Sequence, residues 1–134
     1  MKKPINIFWF RRDLRLEDNA GLYHALKSDN PVIPLFIFDK NILDKLPKND
    51  ARVTFIYQTI KDIKETLQKK GSDLLVKYGK PEKIWPEILK EYEVKEVFTN
   101  HDYEPYARER DDNMAEFLTS EKIAFHTLKT RLFL

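Results

Sequence analysis

The 134-residue sequence has no cysteine, which excludes disulfides, thiolate metal ligands and a cysteine nucleophile, and leaves nothing that calls for an oxidising compartment. Its three glycines, Gly21, Gly71 and Gly79, form neither a GxGxxG nor a GxxxxGK[ST] loop, so an ordinary NAD or ATP site is disfavoured. Histidine is equally sparse. His24, His101 and His126 lie far apart with no ligand-like spacing, and no zinc site is expected. Ser28, Ser72 and Ser120 fall in turns or helix ends without a nucleophile elbow, so a hydrolytic triad finds no support. These absences predict neither a metal nor a catalytic residue. No apolar run is long enough to span a membrane, and the one in MKKPINIFWF ends at Arg11 without a small-residue cleavage site. With 24 basic and 22 acidic residues the net charge is only +2, too balanced to announce nucleic-acid binding. A cytoplasmic monomer with no membrane association is expected.

What the chain does contain is 42% hydrophobic and 13% aromatic residues, enough for one core and too little length for two domains. The stretch that organises it is INIFWFRRDLRLEDNAGL, residues 5–22. Ile5, Ile7, Phe8, Trp9 and Phe10 show almost no polar alternation, as expected for a strand buried on both faces. Arg11, Arg12, Asp13, Arg15, Glu17 and Asp18 then form a charged loop, in which Asp13, Arg15 and Asp18 suit an ion-pair cluster. Asp18 or Asn19 can cap a helix from about Ala20 to Lys27 with the stripe Leu22, Ala25, Leu26.

Further strands are expected at Val32–Phe38, Asp73–Tyr78, Lys95–Thr99 and Ile123–Leu128. A helical turn is expected at Ile42–Leu46. Asn49 or Asp50 caps a long helix whose Val53, Ile56, Ile60, Ile63 and Leu67 recur at spacings of three and four, and Gly71 ends it in a left-handed conformation. Pro81 can open the next helix, with Pro86 bending it or delaying its start. Tyr106, Met114, Phe117 and Leu118 give the last helix, from about Pro105 to Glu121, its packing face, and Arg108 to Asp112 read as a solvated or interdomain surface. Five alternations of strand and helix predict a doubly wound, Rossmann-like α/β domain: a five-stranded parallel sheet with helices on both faces, one domain over residues 1–134. Ligands of such folds bind outside the carboxyl ends of the strands. The residues emerging there are Trp9–Arg12, Phe36–Asp39, Gly79 and Asn100–Glu104, a mixture that suits a planar heterocycle whose ring nitrogens donate hydrogen bonds.

The run Trp9-Phe10-Arg11-Arg12-Asp13-Leu14-Arg15-Leu16-Glu17-Asp18-Asn19 resembles the opening of the DNA photolyase and cryptochrome family. Three more blocks agree in order: residues 34–39, residues 71–76 with 79–82, and residues 100–111. The resemblance implies the amino-terminal, antenna-binding α/β domain of a deoxyribodipyrimidine photolyase, a light-driven, FAD-dependent lyase that repairs pyrimidine dimers in DNA. It further implies that FAD and damaged DNA belong to a carboxyl-terminal helical domain outside these residues, the partner of this one, so the chain alone is expected to be inactive. Tyr106-Ala107 departs from the Asn-Glu pair of folate-binding members. The pattern at residues 100–106 is more similar to deazaflavin-binding members, so a deazaflavin or flavin antenna is favoured over a folate, and an empty pocket is also compatible. By this resemblance the cofactor-binding residues are Trp9, Phe10, Arg11, Phe36, Asp39, Arg52, Val53, Asp102 and Glu104. The equivalent domain of a cryptochrome photoreceptor is the first alternative, and an unrelated nucleotide-binding α/β domain the second.

Overall fold

Strands and helices alternate through the chain as the apolar periodicities dictate. The computed structural model describes residues 3–10, 20–40, 51–69, 71–100 and 105–128, without the side chains of residues 20, 21, 39, 52 and 105–107. The elements are β1 (Pro4–Phe10), α1 (Ala20–Leu26), β2 (Val32–Asp39), α2 (Ala51–Lys69), β3 (Leu75–Gly79), α3 (Pro81–Glu91), β4 (Glu93–Asn100), α4 (Pro105–Ser120) and β5 (Ala124–Leu128). The strands form one five-stranded sheet in the order β3-β2-β1-β4-β5. Every neighbouring pair is parallel. The expected doubly wound α/β fold is therefore present, with β1 at its centre.

Each face of the sheet has its own core. On one, Ile5, Ile7, Trp9, Leu35, Ile37, Val94 and Val97 pack with Ile84, Trp85 and Ile88 of α3 and with Met114 and Leu118 of α4. On the other, Phe8, Phe10, Phe36 and Phe98 pack with Leu22 and Ala25 of α1 and Ile60 and Ile63 of α2. Burying a side chain of this size stabilises the fold by about 1.5–3 kcal/mol. Successive β1 side chains alternate between the faces, which is why the run is apolar on both sides apart from Asn6.

Helix ends follow local chemistry. At the end of α2, Ser72 N–H donates to Leu67 O at 2.8 Å and Gly71 N–H to Gln68 O at 3.1 Å, with Gly71 at φ 84°, a Schellman motif. The same motif ends α4, where Ile123 N–H donates to Leu118 O at 2.8 Å and Lys122 N–H to Thr119 O at 3.0 Å. There the left-handed position holds Lys122 at φ 63°, a conformation that a β-carbon disfavours.

Two features differ from the sequence reading, and one choice it left open is resolved. Asp73 lies in the connection before β3, where its Oδ1 accepts from Leu74 N–H at 2.7 Å and Lys64 Nζ at 2.8 Å; β3 starts two residues later. Helix α3 does begin at Pro81 and runs through Pro86. Leu26 is 66% exposed, so the buried stripe of α1 is Leu22 and Ala25 only. The expected turn at 42–46 and the loop cluster of Asp13, Arg15 and Asp18 lie outside the described residues.

One polar group is built into the centre. Asn6, fully buried in β1, donates from Nδ2 to Ser28 Oγ at 2.8 Å and to Glu96 Oε2 at 3.1 Å. Its Oδ1 accepts from Asn30 Nδ2 at 3.5 Å. Glu96 Oε1 lies 3.2 Å from His126 Nε2, and the imidazole stacks on Phe98. Thus β1, β4, β5 and the turn after α1 share one hydrogen-bonded network, as buried polar groups require.

Candidate functional site

Strand order reverses between β1 and β4, because α1 and β2 lead away from β1 in one direction while β4 adds on its other side. At such a switch point the carboxyl ends of the strands leave a crevice. Phe10 and Asn100 end the two strands that flank it. Thr99 Oγ1 donates to Trp9 O at 2.8 Å and ties them together.

The face covered by α1 and α2 is aromatic here. Phe10 pairs in register with Phe36 of β2. The rings of Phe8 and Phe10 meet edge to face at 4.8 Å, and those of Phe36 and Phe38 at 4.9 Å. Phe98 completes the group. Val53, in the first turn of α2, is half-buried. Such edge-to-face pairs are a favoured packing of aromatic rings, and these rings form a buried apolar cluster toward the carboxyl ends of the strands.

Among the site residues expected from the sequence, Phe10 and Phe36 are therefore brought to one face. Trp9 is not: alternation along β1 sends it to the other side, where its ring meets that of Trp85 at 5.4 Å and lies under the Arg110 guanidinium at 5.3 Å. Asp39 ends β2 opposite Gly79 of β3, and Arg52 lies in the first turn of α2, both with side chains outside the description. Arg11, Asp102 and Glu104 lie outside the described residues.

The second face holds polar residues that sequence reading had assigned to a solvated or interdomain surface. Arg108, Glu109 and Asp112 are exposed, but the Arg110 and Asp111 side chains are each only 11% exposed, with Arg110 Nε 3.8 Å from Asp111 Oδ1. The signal was present: Arg110 and Asp111 stand four and three residues before Met114 and so fall on the buried stripe of α4. A cavity of about 420 Å³ between α3 and α4 is lined by Pro81, Glu82, Arg110, Asn113, Met114 and Phe117. The indole N–H of Trp85 has no hydrogen-bond partner among the described residues.

No cluster of three or more His, Asp or Glu side chains suited to a metal occurs among the described residues. The carboxyl of Asp73 is held below its ordinary value, chiefly by the hydrogen bond from Lys64 and then by that from Leu74 N–H; it belongs to the connection before β3, at the opposite end of the sheet.

The family model for DNA photolyase matches residues 6–134. The deoxyribodipyrimidine photo-lyase of a Synechococcus strain is 37% identical over 123 residues, covering 92% of this chain and 25% of that protein. Among solved structures, a Synechocystis cryptochrome superposes with a TM-score of 0.85 at 29% identity, covering 95% of this chain and 27% of its own. An archaeal photolyase from Sulfolobus tokodaii, solved with two FAD molecules and an implied novel light-harvesting cofactor, superposes with a TM-score of 0.79 at 32% identity, covering 95% and 29%. The chain thus spans little more than a quarter of the length of each of these proteins.

Proposed function

From the premise that this chain belongs to the DNA photolyase family, as an amino-terminal photolyase/cryptochrome domain, we propose that it is the light-harvesting domain of a deoxyribodipyrimidine photolyase. The observation that carries this reading is the aromatic cluster of Phe10, Phe36 and Phe98 packed beneath the carboxyl ends of the strands at the switch point. A flavin or deazaflavin antenna fits that cluster, since a planar apolar ring needs a flat apolar support and a few polar groups at its rim. The archaeal photolyase with two FAD molecules supports the flavin choice.

When bound, such a chromophore supplies near-ultraviolet or blue absorption. The chain's residues supply its position. Phe10, Phe36 and Val53 support the ring from the α2 side. Asp39, Asp102 and Glu104 accept hydrogen bonds from ring N–H groups or side-chain hydroxyls, and Arg11 and Arg52 meet an anionic tail. Trp9 stiffens the crevice from the opposite face. Repair of pyrimidine dimers, with the FAD and damaged DNA it requires, is proposed for the full-length protein through a carboxyl-terminal domain, and the 134 residues alone are inactive in repair. A cytoplasmic, monomeric protein is part of the same proposal.

Flavin mononucleotide titrated into the purified chain is expected to bind saturably at one equivalent, and Asp39→Asn to weaken it about tenfold, one hydrogen bond to a charged group. Retention of a folate in preference to the flavin would overturn the choice of antenna. Failure to retain any chromophore would overturn the light-harvesting role. The likeness to the Synechocystis cryptochrome favours a second reading, the same domain in a blue-light photoreceptor. Light-dependent removal of dimers by the full-length protein separates the two.

A further inference from the structure

The outer flank of α2 carries a feature that the switch-point site does not use. Helix α2 turns Ile56, Ile60, Ile63 and Leu67 to the sheet. Tyr57, Lys61 and Lys64, spaced four and three apart, then fall together on the side toward β3. Strand β3 ends the sheet, so among the described residues no further strand covers this side. Between them runs a groove of about 610 Å³, with Phe38, Ile60 and Val76 in its floor and Tyr57, Lys61 and Lys64 at its rim. Its size falls within the range of small-molecule sites, roughly 300–1,000 Å³.

The rim is asymmetric in charge. Lys64 is neutralised: its Nζ lies 2.8 Å from Asp73 Oδ1 and 3.0 Å from Leu74 O. Lys61, one turn nearer the amino end of α2, makes no hydrogen bond or ion pair among the described residues. Tyr57 stands beside it with 63% of its surface exposed. An exposed tyrosine and an uncompensated ammonium over an apolar floor are complementary to a ring that carries one negative charge. The ring covers the apolar surface, and the anion meets Lys61 away from the Asp73 carboxylate. A neutral ring would forgo the charge, and a dianion would approach Asp73.

We propose that this groove is a second binding site, separate from the switch-point crevice, for a planar aromatic monoanion. The test uses the 134-residue chain with two probes of equal ring size, 2-naphthoate and its neutral analogue 2-naphthamide. Binding is followed by amide shifts in nitrogen–proton correlation spectra. Naphthoate is expected to bind saturably with shifts centred on Tyr57, Lys61 and Val76, and naphthamide at least fivefold more weakly. Lys61→Glu should weaken naphthoate at least tenfold and leave naphthamide unchanged; Phe55→Ser, on the other flank of α2, should alter neither. Lys61 is exposed, so its variant keeps the fold, which the dispersion of the same spectra verifies. Shifts centred on Phe55 or the carboxyl edge of the sheet, equal losses for both probes, or no saturation up to the solubility limit would each overturn the proposal.

Discussion

Replacing Asn6 tests whether the buried polar network is a specific hydrogen-bonded device. In Asn6→Leu, a change of similar volume, the hydrogen bonds to Glu96 and Ser28 are lost. A bond to a charged group is worth about 1.5–3 kcal/mol and a neutral one about 1 kcal/mol, and the added apolar contact returns part of this. A net loss of about 1–3 kcal/mol is expected at pH 7. Asn6→Asp keeps the shape but sets a second carboxylate where the amide donor stood, 3.1 Å from Glu96 Oε2. Burial and Glu96 both raise the folded-state pKa of the introduced carboxyl above the unfolded value of about 3.9. The folded state then holds a proton that the unfolded state releases, so the penalty is greatest at pH 7, about 3–5 kcal/mol, and vanishes as the pH falls below about 4. Adding Glu96→Gln removes the repulsion and should recover at least half of the loss. Urea unfolding followed by far-ultraviolet circular dichroism at several pH values measures all of these, under the two-state behaviour expected for a domain of this size. Equal costs for the two Asn6 variants, or a pH-independent Asn6→Asp penalty, would refute the reasoning.

Two further outcomes follow from helix ends and turns. Lys122→Gly relieves the left-handed backbone at the end of α4 and should stabilise the domain by about 1 kcal/mol, read as a melting temperature about 3–5 °C higher. The Asp73 pKa is lowered in the folded state from its ordinary 3.8, so its interaction with Lys64 is present above that value and lost as the pH falls through the folded-state pKa. Asp73→Asn should therefore flatten the decline of stability below about pH 4 in an acid titration of the unfolding free energy, while leaving the limb above pH 5 parallel to that of the unaltered chain.

Where periodicity is local, the sequence announces the structure. The spacing of Ile56, Ile60, Ile63 and Leu67, the Gly71 stop and Pro81 as a helix opener each involve residues within a turn or two of one another. Strand order is different, because nothing within residues 4–10 says that β4 will lie beside them. For that reason the Asn6–Glu96 contact, across 90 positions, did not enter the expected reading, whereas the placing of Trp9 and Phe10 on opposite faces follows from local alternation and was legible. Arg110 and Asp111 are not solvated, which was one of the two readings of this run, because on α4 the stripe through Met114 and Leu118 decides which side chains turn inward. At the carboxyl edge, the aromatic half of the proposed site can be traced in the described residues, and the hydrogen-bonding half rests on family resemblance.

The central place of β1 also has a kinetic side. Strands β1, β2 and β3 with α1 and α2 form a stretch continuous in sequence, able to pair as soon as residues up to Gly79 are available. The Ile5, Ile7 and Trp9 side chains of that same β1 point the other way and wait for α3, β4 and α4. During synthesis from the amino terminus, the first half of the sheet must therefore persist with one greasy face uncovered and one side of its middle strand unpaired. Such an intermediate invites premature association, and the β1–β4 closure, the longest loop the sheet demands, is the step expected to limit the folding rate.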